Sequence, residues 1–228
     1  MICNSSLLSF GSGICKDYLC GLLYYRRGSY ARPFSGSEPV AGYDRVMALE
    51  FTESCLADAI SLFRYYKKLG DGALAQLSDE QVYATLDPEM NSVAIIIKHM
   101  SGNMLSRWNG FPDADGESAT RDRDAEFVSP PAQRAEVVQQ WEDGWRCVFG
   151  ALERLTDADL PRRVTIRGEA HSVMQAIHRQ LAHYAYHVGQ IVFLAKHLQS
   201  ENWRSLSIPR NQSAQFNQRV GRGEASQR

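Results

Sequence analysis

The sequence predicts an all-α fold, a four-helix bundle with a short extended segment before its last long helix. In four stretches the apolar residues recur at alternating spacings of three and four, the signature of helices that bury one face. The only short run of strict alternation is Val164-Thr165-Ile166, so no larger sheet is expected. Four amphipathic helices with connections of moderate length are most economically packed as a bundle, whose ligand sites lie between facing helices.

Residues 1–46 mix Gly, Ser, Pro, Arg and Tyr without sustained periodicity and offer no face to bury. They are expected to be a poorly ordered extension, with translation starting at Met47, where the helical pattern begins. The bundle is then expected over 47–217, with a frayed tail over 218–228. From Leu49 the positions Phe51, Leu56, Ala59, Ile60, Phe63 and Tyr66 predict a first helix reaching Leu77, with Gly70 and Gly72 as kink candidates. Asn91-Ser92 announces a second helix that runs to Trp108 and carries His99. Residues 109–128 form a long loop rich in Gly, Asp and Arg, a length often associated with function. Ser129-Pro130-Pro131 predicts the start of a third helix, through Val138, Trp141, Trp145, Val148 and Leu152 to Leu155. The last long helix begins near Ser172, and its stripe is Leu181, Tyr184, Val188, Ile191, Ala195 and Leu198.

Composition narrows the partners. With 25 basic and 26 acidic residues the formal net charge is -1, which gives no global field for nucleic acid or an anionic membrane surface. No apolar stretch reaches the roughly 20 residues of a bilayer span. Five cysteines without a C-x-x-C pair suggest neither a zinc cage nor a disulfide framework, which fits a reducing cytoplasm.

Between Arg179 and Lys196 the last long helix carries no charged side chain, yet Gln180, His183, His187 and Gln190 share one narrow face. Ala182, Ala185 and Gly189 lie on roughly the opposite face, where another helix could approach closely. Histidines four apart present both imidazoles to one side, close enough to hold one metal ion. A buried imidazole without a partner costs about 1–3 kcal/mol, so two on one buried helix need an explanation. A metal provides one, with His99 as third ligand because it alone of the remaining histidines lies in a different predicted helix. Hydrogen bonding to Asn103, Gln190 or tyrosine hydroxyls provides the other. The zinc-protease motif is excluded, because Tyr184 stands where its glutamate should follow the first histidine. The cluster Arg121, Arg123, Asp124 and Glu126 reads either as a solvated charge run or as a contact for a charged substrate.

The segments NSVAIIIKHMSGNMLSRW (91–108), RDRDAEF (121–127), QAIHRQLAHYAYHVGQIVFLAKH (175–197) and WRSLSIPR (203–210) resemble the DinB-like superfamily, within it the branch similar to YfiT and the bacillithiol transferases. The resemblance covers Met47 to Asn217 and implies a four-helix bundle of DinB type, often homodimeric, holding one divalent metal ion, zinc or nickel, on His99, His183 and His187. It further implies a metal-dependent S-transferase that joins a low-molecular-weight thiol to an electrophile, or else a non-catalytic metal-binding, stress-associated bundle. Asn103 and Gln190 would support the ligands from behind, and Arg121 and Arg123 would bind carboxylates on the thiol.

Overall fold

The computed structural model describes residues 54–226. Six helices and one two-stranded sheet are found among them: α1 (Cys55–Leu74), α2 (Asp79–Tyr83), α3 (Val93–Trp108), α4 (Arg134–Leu152), β1 (Arg163–Ile166), β2 (Glu169–Ser172), α5 (Val173–Gln199) and α6 (Ser213–Gly221). The protein is therefore mostly helical. Met47, Phe51 and the expected 1–46 extension lie outside the described residues.

Serines set most of the helix starts. Ser54, Ser92 and Ser172 each accept a hydrogen bond from a backbone N–H of the first turn, and Ser172 with Gln175 completes a reciprocal capping box. The cap at Ser54 starts α1 at Cys55, and the expected start at Leu49 lies outside the described residues. Its end comes at Leu74, where Arg134 donates to the carbonyls of Leu74 and Leu77. Gly70 and Gly72 lie inside a helix that continues past both, and their role is close packing. A Cβ on Gly70 would overlap the Trp141 ring, and one on Gly72 would overlap Leu206. The third long helix starts later than Pro130-Pro131 predicts, because Gln133 is still extended at φ -123° and ψ 142°.

α3 packs against α4, α1 against α5, and α3 also touches α5, while α1 touches α4. Phe63, Trp108, Trp145 and Tyr184 fill the space between these four helices, with Phe63 edge-on to both tryptophans. Tyr184 is fully buried, and its hydroxyl accepts from Trp108 Nε1 at 3.0 Å and donates to Asn103 Oδ1 at 3.1 Å. α5 is buried on one face only. Tyr184, Val188, Ile191 and Ala195 turn inward, whereas Tyr186 and Phe193 are exposed. The small face is open as well: Ala182 and Gly189 are exposed, and nothing lies within 4 Å of a Cβ on Gly189.

The alternating run Val164-Thr165-Ile166 forms half of an antiparallel hairpin with β2. Its two-residue turn, Arg167-Gly168, has φ of 56° and 75°. Positive φ at both positions favours Asn-Gly, so an arginine here is unusual. Asp115 holds the turn by accepting from both backbone N–H groups, at 3.0 and 3.1 Å. The hairpin also anchors the long loop, through Gly116 N donating to Thr165 O. No described helix is long and apolar enough to cross a membrane.

Candidate metal centre

α3 and α5 bring His99, His183 and His187 together, with one ligating atom of each within 4.8 Å of the others. His99 Nε2 is 3.3 Å from His183 Nε2, which is 3.0 Å from His187 Nε2. Two imidazole nitrogens about 2.0–2.1 Å from one ion stand about 3.3 Å apart at a tetrahedral angle and about 3.0 Å apart at a right angle. The His99–His183 and His183–His187 separations fall at those values.

The protons on the far ring nitrogens explain why the Nε2 lone pairs face one another. His99 Nδ1 donates to Glu126 Oε2 at 2.8 Å, and His187 Nδ1 donates to Gln190 Oε1 at 2.8 Å. Each of these bonds fixes the tautomer that leaves Nε2 free to ligate. Burial, reinforced by His187 and His99, pulls His183 down to about 3, and burial lowers His187 too. The lowered values of His183 and His187 disfavour their protonation and suit the neutral imidazoles a metal requires. The group could hold a metal ion, and the donor set fits one.

Glu126 is the residue whose role sequence reasoning missed. It was visible only as one member of a charged cluster, yet it is 6% exposed and sits in a short 3-10 turn, Asp124–Phe127, that folds the long loop back over α3. Arg121 grips it bidentately, Nε to Oε1 at 2.7 Å and Nη2 to Oε2 at 2.9 Å. Burial pushes the Glu126 pKa up, but the hydrogen bonds from His99 and Arg121 and the Arg121 charge outweigh it and leave the carboxyl below its ordinary value. A sequence signal existed in Gly102, three residues after His99. A Cβ there would overlap the Glu126 carboxylate.

The other site residues divide by position. Gln190 supports His187 and donates from Nε2 to the Tyr186 hydroxyl at 3.2 Å. Among the described residues Asn103 makes no hydrogen bond to a histidine; its oxygen accepts from Tyr184. Arg121 directs its donors to Glu126, while Arg123 is exposed and lies over the Phe127 ring at 5.3 Å. A cleft of about 540 Å³ opens in front of the histidines, lined also by Asn103, Gln180 and Tyr186 and by five arginines.

Fold and site together define a mostly helical protein with a three-histidine group able to hold a metal ion. The family model described as "Protein of unknown function (DUF1572)" matches residues 50–212. The chain belongs to that family, which lies in the DinB-like clan. No curated protein and no solved structure gives a match.

Proposed function

We propose that this chain is a metal-dependent S-transferase, joining a low-molecular-weight thiol to an electrophile. In this reading α1, α3, α4 and α5 form a four-helix bundle of DinB type, related to the YfiT and bacillithiol-transferase branch and working as a cytoplasmic homodimer. The observation that supports it most is the convergence of three Nε2 atoms, two of them, on His99 and His187, with the tautomer set by Glu126 and Gln190. A divalent ion, zinc or nickel, would be held by His99, His183 and His187 and would supply Lewis acidity that favours ionisation of a thiol beside it.

The chain's own residues supply the rest. Glu126 and Gln190 hold two ligands in orientation. Asn103 lines the cleft, and its amide nitrogen, which has no hydrogen-bond partner among the described residues, would be a donor toward substrate. Arg123 retains free donors for a carboxylate of the thiol, whereas Arg121 acts through Glu126. In the transfer the thiolate sulfur forms a bond to the electrophilic carbon as the bond to the leaving group breaks. The leaving group departs with the electron pair, and the thiol proton passes to solvent.

Metal content of untagged protein, with melting temperature before and after added zinc or nickel, tests the first half. Stoichiometric metal and a raised Tm are expected; the absence of both would sink the reading. Thiol consumption against a panel of electrophiles then compares wild type with His183→Ala. Equal rates would leave a metal-binding protein without catalysis.

A further inference from the structure

The cleft in front of the histidines is lined by Arg107, Arg121, Arg123, Arg167 and Arg179 and by no carboxylate. Two glutamates behind the wall answer part of this charge. Glu126 pairs with Arg121, and Glu117 is shared by Arg107 at 3.0 Å, Arg167 at 3.1 Å and, more distantly, Arg121 at 3.8 Å. Arg123 and Arg179 have no ion pair among the described residues. A net excess of guanidinium in one small concavity is self-repelling and is relieved by an anion.

Arg107 gives the second, independent observation. It is 6% exposed, it donates through Nη1 to the Gly116 carbonyl, and its Nε has no hydrogen-bond partner. A buried guanidinium N–H left without an acceptor is costly. The Arg167 side chain is carried by a backbone conformation that an arginine adopts only at a cost, as residues held in strained φ at functional sites often are.

We infer that this cleft binds a small molecule bearing a dianionic oxyanion group, a phosphomonoester or a dicarboxylate, with Arg123 and Arg179 as its recognising cations and Arg107 adding positive charge from the buried side of the wall. Guanidinium forks match both oxyanions in geometry. The volume of about 540 Å³ suits a small molecule rather than a polymer. The inference deepens the transferase reading by naming a substrate class, and it rests on that reading only for the metal's place beside the anion.

Calorimetric titration of the full-length, zinc-loaded protein with phenyl phosphate, succinate, acetate and the neutral succinamide tests it. At least one dianion is expected to bind ten times or more tighter than acetate, with no binding of the diamide; the tighter of the two dianions identifies the group. Both arginines of the pair are at the surface, so Arg123→Gln/Arg179→Gln should fold, retain its zinc and lose tenfold or more in dianion affinity. His183→Ala, which removes a metal ligand, should retain dianion binding within tenfold. Dianions binding no tighter than acetate, or a double variant that binds them like wild type, would overturn the inference. So would tighter binding of a single-stranded oligonucleotide than of either dianion. Zinc stoichiometry, measured separately, judges the metal reading whichever way the anion result falls.

Discussion

Gly102 leaves open the space that the carboxylate of Glu126 occupies, one helical turn beyond His99. The contact joins two segments that the chain keeps apart, the middle of α3 and the loop before α4. It also makes a residue with no functional group a determinant of the ligand geometry.

Gly102→Ala should therefore lower metal affinity by about 10–100-fold, the range that loss of a partner behind a ligating histidine produces. The substitution itself favours helix by about 1 kcal/mol, so the metal-free protein should not melt markedly lower. Competition with a chelator of known affinity measures the first effect and circular dichroism the second. Unchanged affinity would mean that Glu126 does not position His99.

The metal-free protein should lose stability as pH falls from about 6.5 toward 3. His183 is depressed to about 3 in the fold and titrates near its ordinary 6.5 when unfolded, so across this window the unfolded chain binds more protons. The contribution is present above the upper value and disappears toward the lower one. His187, also depressed, adds with the same sign. Tm against pH for chelator-treated wild type should fall more steeply than for His183→Gln; parallel curves would contradict the assignment.

Tyr184→Phe removes a hydroxyl that joins Trp108 to Asn103 in the core. Two buried groups lose their partner at once, so denaturant unfolding should show a loss of about 1–3 kcal/mol. A loss below about 0.5 kcal/mol would show that water replaces the hydroxyl.

Helix identity and the histidine spacing were legible because both are local. Ser92 and Ser172 sit where their caps form, and residues 183 and 187 share a face by helical geometry alone. Val164-Thr165-Ile166 likewise showed its extended character. Other features depend on partners far along the chain. Glu126 looks like part of a solvated charge run until the loop folds it 27 residues back onto His99. Arg167 and Arg179 lie on separate elements, and only the packing of the hairpin beside α5 makes them walls of one cleft. The start of α4 was misplaced because a Pro-Pro pair shows where a helix is allowed, while the extended backbone at Gln133 decides where it begins.

The Arg167-Gly168 turn makes a prediction of its own. Arg167→Asn puts a residue suited to positive φ at that position, so the hairpin should hold or gain up to about 1 kcal/mol even without the exposed pair to Glu117. Dianion affinity should fall in the same variant. A lower Tm with unchanged affinity would show that the arginine is there for the hairpin.

That turn also bears on how the protein could be engineered. A library screened for heat resistance alone would drift toward Asn at 167, because nothing in a melting curve registers the charge being discarded. Each such winner would carry a more neutral cleft. Position 167 should be held fixed in any thermostabilised variant meant to retain its ligand.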